Sequence, residues 1–177
     1  MSDEAIIRVR NLKKLFPVRQ GWQASFMGAK EMNLHAVDGV TFDIHNDQVL
    51  GLVGESGCGK STLGRLLLKL IEPTSGEIYF KDTDLVSLTQ EEMKPFRSKM
   101  QIIFQDPYES LNPRMTVLDL IAEPLEVNGL VESEEEKEEK VSEILERVKL
   151  SPAEEFLYRF PHELSGGQRQ RIAIARA

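Results

Sequence analysis

The fold is decided by the stretch Gly54-Glu55-Ser56-Gly57-Cys58-Gly59-Lys60-Ser61-Thr62. Before it, the segment from Gln48 to Val53 is almost entirely apolar, which predicts a buried strand of a parallel sheet. After it, leucines recur at helical spacing, at Leu63, Leu66, Leu67 and Leu70. The pattern G-x-x-x-x-G-K-[ST] between a strand and a helix is typical of a phosphate-binding loop.

Such a loop binds phosphate through its backbone and one lysine. The glycines let backbone N–H groups point inward at the start of a helix, where the helix dipole also favours an anion. Lys60 would bind the β- and γ-phosphates of a nucleotide and act in catalysis, and the Ser61 hydroxyl would hold Mg²⁺. The alternative is a glycine-rich turn without a ligand. The predicted nucleotide contacts are Ser56, Gly57, Cys58, Gly59, Lys60, Ser61 and Thr62.

The remaining elements indicate an α/β fold. Ile6–Val9 and Val40–Ile44 are predicted strands, joined by a long surface connection from Pro17 to Asn33. Glu77–Phe80 and the apolar Gln101–Phe104 are predicted as further strands. Strands that alternate with helices are typical of the α/β class.

The second half of the chain is predicted to be helical and acidic. Val117, Leu118 and Ile121 share one helical face. Ser133-Glu134-Glu135-Glu136 fits a capping box at the start of another helix, in which Val141 and Leu145 belong to an apolar stripe. We interpret this stripe as core packing.

The composition excludes several classes of protein. The 177 residues include 22 Lys and Arg against 29 Asp and Glu, and the net charge of −7 disfavours general binding to nucleic acid. Cys58 is the single cysteine, so no internal disulfide can form. The N-terminus lacks the pattern of a secretory signal, and no apolar run is long enough to span a bilayer. We therefore expect a protein that is not exported and has at most a peripheral membrane role.

A second glycine pair occurs in Leu164-Ser165-Gly166-Gly167-Gln168, followed by a predicted helix from Arg169 to Ala177. Ser165 and Gln168 by themselves fit an S-x-x-Q capping box, which is the structural interpretation. A cap does not need two glycines, however. Gly166 and Gly167 would clear side chains from a helix start, so that its free N–H groups could bind a phosphate from outside.

Together these motifs resemble the ATP-binding cassette (ABC) ATPases, whose signature is L-S-G-G-Q. Phe104-Gln105-Asp106-Pro107 is similar to the Q-loop of that family. Phe16 lies where an aromatic residue often stacks on adenine, a role for which Trp22 is the alternative. Gln105 to Met115 and Tyr158 to Leu164 resemble the peptide-permease subgroup, the oligopeptide and dipeptide importers.

The resemblance implies a P-loop NTPase core with an N-terminal antiparallel β region and an inserted α-helical lobe, without the C-terminal core strands. Residues 1–105 would form the nucleotide-binding core. Residues 106–165 would form the helical lobe, and residues 166–177 would begin the signature helix.

The resemblance also implies a function that depends on partners. ATP would lie between the loop of one subunit and the signature of a second, identical or different subunit, arranged head to tail. Ser165, Gly166, Gly167 and Gln168 would then contact the partner's nucleotide, and Gln105 would act in catalysis by contacting Mg²⁺ or the attacking water. The pair would energise peptide import through transmembrane permease subunits at the cytoplasmic face of the cell membrane. A DNA-repair or chromosome-organising ATPase is the alternative, but its coiled-coil or zinc-bearing insertions have no counterpart in this sequence.

Two segments of the family pattern are missing from the 177 residues. The family has an apolar strand ending in Asp-Glu after the signature, and then a switch histidine. The only Asp-Glu pair is Asp3-Glu4, and His35, His45 and His162 all precede the signature helix. We therefore expect an N-terminal fragment of a longer ATPase, which binds nucleotide weakly or not at all and does not hydrolyse it. A non-catalytic truncated product is the other interpretation.

Overall fold

The computed structural model describes residues 5–18, 32–104 and 111–177 of the chain. They belong to two compact units, Met1–Gln101 and Ile102–Ala177, each with its own hydrophobic core. The first unit contains a β-sheet and helices, and the described part of the second is helical, so the predicted α/β class is confirmed. The finer division at residues 105 and 165 stays a prediction.

Among its described residues, the first unit contains a four-stranded antiparallel sheet. Its strands are β1 (Ala5–Pro17), β2 (Asn33–His45), β3 (Ser75–Phe80) and β4 (Thr83–Asp84), in the order β2-β1-β3-β4. The strands predicted at Ile6–Val9, Val40–Ile44 and Glu77–Phe80 are confirmed, and β1 and β2 are longer than predicted. They extend because their pairing continues as far as Pro17 and Asn33, which lie opposite each other.

A bulge in β1 determines which of its side chains are buried. Asn11 has a φ of 45°, and the register against β2 shifts between Val9 and Leu12. Residues three positions apart in a regular strand face opposite sides of the sheet, whereas a bulge brings them to one side. Val9 and Leu12 are accordingly both fully buried. Gly76 of β3 approaches this bulge so closely that a Cβ atom there would lie 2.5 Å from the Leu12 Cα.

The described part of the first unit also contains two helices, α1 (Lys60–Leu67) and the short α2 (Lys94–Arg97). The predicted apolar face of α1 is confirmed in part. Leu63 and Leu66 are buried in the same cluster as Ile78 of β3, whereas Leu70 lies beyond the end of the helix and is exposed. Lys69, just after α1, is buried, and its ammonium donates to the carbonyls of two residues beyond β4, Val86 (2.8 Å) and Leu88. These bonds satisfy a charge that would otherwise be costly to bury.

The sequence predictions of a buried parallel strand at 48–53 and of a further buried strand at 101–104 are wrong. Both segments are irregular, and Val49 and Val53 expose 94% of their surface. Neither segment belongs to the sheet formed by the described residues. An apolar sequence favours burial, but a strand forms only when a neighbouring strand takes up its backbone hydrogen bonds. In the described part of the chain, no strand does so for either segment.

The second unit is built from α3 (Val117–Val127), α4 (Glu134–Arg147) and α5 (Gly166–Arg176), with short 3₁₀ helices at Ala153–Glu155 and Pro161–Glu163. The predicted apolar faces of α3 and α4 are confirmed. They pack with α5 into one core, which includes Leu118, Ile121, Val141, Leu145 and Ile172. Ser133 caps α4 as predicted, because its hydroxyl accepts a hydrogen bond from the Glu136 N–H at 3.2 Å. The second half of the predicted capping box is not formed, since the Glu136 carboxylate accepts from the Glu132 N–H at 2.9 Å instead.

An ion cluster links α3 and α4. Lys137 of α4 is nearly buried, and its Nζ lies 3.1 Å from a Glu126 oxygen and 3.2 Å from a Glu134 oxygen. Burial acts to lower the pKa of Lys137, but the hydrogen bonds to these two carboxylates outweigh it, and the pKa is raised. Lys137 therefore stays charged and holds the two helices together.

No helix in the described part of the chain has the length and apolar character needed to cross a bilayer.

Candidate functional site

The predicted phosphate-binding loop leads directly into α1. Gly59 caps the helix in a left-handed conformation with a φ of 96°, and the Leu63 N–H donates to the Gly59 carbonyl at 2.8 Å. A turn precedes it, closed by a bond from the Cys58 N–H to the Glu55 carbonyl at 3.3 Å. The loop is exposed as far as Cys58. The structure thus places these residues at an open helix N-terminus, which favours an anion.

Close packing against β2 fixes the position of the loop. A Cβ atom at Gly59 would lie 2.1 Å from the carbonyl oxygen of Ala36. Only glycine permits this approach together with a left-handed φ. The start of α1 is therefore held against β2 by backbone contact.

Lys60 binds the carbonyl groups of its own loop. Its Nζ donates to the Gly54 oxygen at 2.7 Å and to the Glu55 oxygen at 2.5 Å, and it lies 3.5 Å from the Cys58 sulfur. The ammonium is thus already directed into the turn that the glycines form. A bound phosphate would compete with these two carbonyls for the same charge, and a charged acceptor forms the stronger bond.

The other predicted loop contacts are accessible to a ligand. Ser56, Gly57 and Ser61 are exposed, and Thr62 is half-buried. Ser61 follows Lys60 in the first turn of α1, and a hydroxyl oxygen is a ligand type that Mg²⁺ accepts. Gln105 and Trp22 lie outside the described residues.

A cavity of about 300 Å³ adjoins the loop. Cys58, Gly59 and Lys60 line one side of it, and residues of β2 line another. Two polar residues of β2, His35 and Asp38, line this cavity and were not singled out from the sequence. The sequence indicates only that the two residues are three positions apart. Their position beside the loop follows from the packing of β2, which the local sequence does not specify.

Phe16 lies near the end of β1, opposite Leu34 of β2. The ring is 37% exposed, and the Lys14 Nζ lies 5.0 Å from its centroid. An exposed aromatic face can stack on a planar base. Phe16 is not among the residues that line the cavity beside the loop, so the structure does not bring the two predicted contacts into one pocket.

The second glycine pair opens α5 in the other unit. The Ser165 hydroxyl accepts from the Gln168 N–H at 3.3 Å, and the Gln168 side chain accepts from the Ser165 N–H at 2.8 Å. The capping box is therefore confirmed. Ser165, Gly166 and Gly167 are all exposed. A Cβ atom at Gly167 would meet nothing within 4 Å, and one at Gly166 would meet only the end of the Arg169 side chain, at 4.0 Å.

The chain is similar in sequence to known ATP-binding proteins of transport systems. The family model described as "ABC transporter" matches residues 37–177. The oligopeptide transport ATP-binding protein AppF of Bacillus subtilis is 47% identical, over 99% of this chain and 52% of its own length. The glutathione import ATP-binding protein GsiA of Escherichia coli O157:H7 is 48% identical, over 100% of this chain and 27% of its own length. This chain thus spans about half the length of AppF and about a quarter of GsiA.

A solved structure has the same fold. It is the dimeric ATP-binding cassette MJ0796 in a post-hydrolysis state, bound to ADP and Pi. The two chains superpose with a TM-score of 0.77 at 29% identity, over 96% of this chain and 68% of that one.

Proposed function

Because the chain belongs to the ABC transporter family, we propose that it is the ATP-binding and hydrolysing subunit of an importer for oligopeptides or dipeptides. One observation carries the nucleotide part of this proposal. Lys60 begins α1 and directs its ammonium into the glycine turn, at 2.7 Å from the Gly54 carbonyl. The peptide part is supported by the names of AppF and GsiA, since glutathione is itself a short peptide.

Each predicted contact has a distinct role. The N–H groups from Ser56 to Thr62 would surround the phosphates, and Lys60 would neutralise charge on the β- and γ-phosphates. Ser61 would hold Mg²⁺, which supplies a Lewis acid at the γ-phosphate when it is bound. Gln105 would position the metal or the attacking water, and Phe16 would stack on the adenine.

The partner would be a second ABC ATPase subunit, identical or different, arranged head to tail. Two features of the second unit support this arrangement. Ser165, Gly166 and Gly167 are exposed at a helix start whose first N–H groups have no partner within the helix. Internal packing does not require glycine at Gly166 or Gly167, so an approaching phosphate explains the pair better than the fold does. The MJ0796 cassette, which has the same fold, is likewise dimeric in its solved structure.

The two ATPase subunits would contact transmembrane permease subunits as peripheral proteins at the cytoplasmic face of the membrane. Nucleic acid is not a proposed partner, because the net charge of −7 opposes binding to a phosphate backbone.

An NMR titration with MgATP tests the nucleotide site, and of the two expectations for this chain, weak binding or none, the proposal commits to weak binding. We expect shifts in the amide signals of Gly57, Gly59 and Ser61. Lys60→Ala should weaken binding roughly tenfold or more, since a charge-assisted bond to phosphate contributes about 1.5–3 kcal/mol. Lys94→Ala is the matched control, because Lys94 is exposed and pairs only with Glu91 among the interactions described. Equal affinities for Lys60→Ala and the unmodified chain would contradict the proposal.

A further inference from the structure

The cavity beside the loop contains a polar pair that the proposed phosphate contacts do not use. His35 and Asp38 of β2 line it together with Lys60 and Gly59 of the loop. Both side chains are more than half exposed, at 59% and 54%, so a ligand in the cavity can reach them. Most of the other lining is apolar, including Val37, Leu52 and Leu63. The cavity thus continues the phosphate loop into a pocket with one polar wall.

This polar pair is held in place by a third residue. The His35 Nδ1 lies 3.2 Å from one oxygen of Asp38, and the Lys13 Nζ lies 3.2 Å from the other. The hydrogen bonds from Lys13 and then from His35 lower the pKa of Asp38, so its carboxylate is charged at neutral pH. With Nδ1 directed at Asp38, the His35 Nε2 is left for an external partner.

The chemistry of the pair fits hydroxyl groups better than phosphates. A carboxylate repels phosphate oxygens, but it accepts hydrogen bonds from alcohols, as the acidic residue of dinucleotide-binding folds does with ribose. A neutral imidazole nitrogen can likewise accept from an alcohol. In a nucleotide, the group that directly follows the phosphates is the ribose. A pocket that continues from a phosphate loop and presents a carboxylate and an imidazole is therefore suited to a sugar.

We propose that His35 and Asp38, braced by Lys13, form the ribose subsite of the nucleotide site. This inference rests on the proposed binding of ATP at Gly54–Thr62 and specifies which part of the nucleotide lies against β2. The pair accepts hydrogen bonds from a ribose hydroxyl, while Lys60 binds the phosphates. The site accordingly distinguishes ribonucleotides from deoxynucleotides.

The test compares MgATP with 2′-deoxy-ATP and 3′-deoxy-ATP on the full 177-residue chain, by NMR titration. At least one deoxy analogue should bind about tenfold more weakly than ATP, as expected when a hydrogen bond to a charged acceptor is lost. Asp38→Ala and His35→Ala should bring that ratio close to one. Asp43→Ala is the matched control, because Asp43 is also an ion-paired carboxylate of β2 but does not line the cavity. It should keep the tenfold preference.

The outcomes separate this inference from the function on which it rests. If ATP and both deoxy analogues bind the unmodified chain equally, and Lys60→Ala weakens all three, the ribose subsite is refuted and the phosphate site stands. If the preference persists in both cavity variants, the ribose is recognised elsewhere and the inference is again refuted. If no nucleotide shifts the loop signals, both proposals fail. The comparison of analogues on the unmodified chain needs no variant, so a variant that does not fold cannot prevent a decision.

Discussion

Gly59 is the residue on which the position of the loop depends. It combines a φ of 96° with a backbone approach to Ala36 that leaves no room for a side chain. Because Gly59 has no Cβ atom, the loop can pack directly against the backbone of β2. Any larger residue has to move either the start of α1 or the strand beneath it.

Gly59→Ala should destabilise the chain by about 2 kcal/mol. Alanine is strained at a left-handed φ, and its Cβ atom would also clash with a backbone carbonyl, whose displacement costs further energy. Urea unfolding followed by circular dichroism measures the change. Gly64→Ala is the control, since a Cβ atom there meets nothing within 4 Å and Gly64 lies inside α1. The control should gain up to about 1 kcal/mol from helix propensity. Equal effects of the two substitutions would contradict the close approach.

Asp43 provides a pH-dependent prediction. Its hydrogen bonds with the Arg10 guanidinium, one of them at 2.9 Å, lower the pKa of this carboxyl group. A folded-state pKa below the unfolded value of about 3.9 means that the pair stabilises the fold above that pH. The contribution is lost as the pH falls through the lowered folded-state pKa.

The stability difference between the unmodified chain and Asp43→Asn should therefore be constant from neutral pH to about pH 5 and should shrink at lower pH. Urea unfolding across this range measures it. Asp82→Asn should have little effect at any pH, because Asp82 is 87% exposed and 3.6 Å from Arg8. A difference for Asp43→Asn that grows toward acid pH would have the wrong sign for this account.

At the level of the helix, the start of α5 combines two residues that stabilise the helix with two glycines that the packing of the unit does not require. Ser165 and Gln168 cap the helix, and the two glycines between them make no contact that requires their small size. The cap serves the fold of the unit. Under the proposed function, the glycines leave the exposed face of the helix start clear for the nucleotide of a partner subunit.

Ser165→Ala should cost about 1 kcal/mol of stability, because the Gln168 N–H loses its acceptor. Gly167→Ala should leave stability unchanged or raise it by up to about 1 kcal/mol, since alanine favours a helix. Thermal or urea unfolding of the two variants gives the comparison. A marked loss of stability in Gly167→Ala would mean that internal packing, and no external ligand, explains that glycine.

The elements that the sequence predicted correctly are those specified by nearby residues. The caps at Ser133 and Ser165 and the apolar face of α3 depend on side chains within one or two turns, and all are confirmed. The strands predicted at 48–53 and 101–104 depended on distant partners, which local hydrophobicity cannot reveal. The loop was likewise predictable from its motif. The placement of His35 and Asp38 beside it was not, because it follows from how β2 packs.

For the molecule as a whole, the sequence prediction and the structure differ in which apolar side chains are buried, because the sequence predicts a buried strand at 48–53 and the structure exposes it. Val9→Ala should cost about 2 kcal/mol, because Val9 is fully buried. Val49→Ala should change the free energy of unfolding by less than about 0.5 kcal/mol, because Val49 is 94% exposed. Urea unfolding of both variants tests this difference. A cost for Val49→Ala comparable to that for Val9→Ala would mean that the segment is a buried strand after all.

The central claim, that the loop at Gly54–Thr62 binds the phosphates of ATP, is tested most directly by a crystal structure of the chain grown with a non-hydrolysable ATP analogue and Mg²⁺. We predict that the phosphates lie within the loop, and that the Lys60 Nζ has moved from the carbonyls of Gly54 and Glu55 to phosphate oxygens. A structure in which Lys60 keeps its two carbonyl bonds while the nucleotide lies elsewhere would contradict the account.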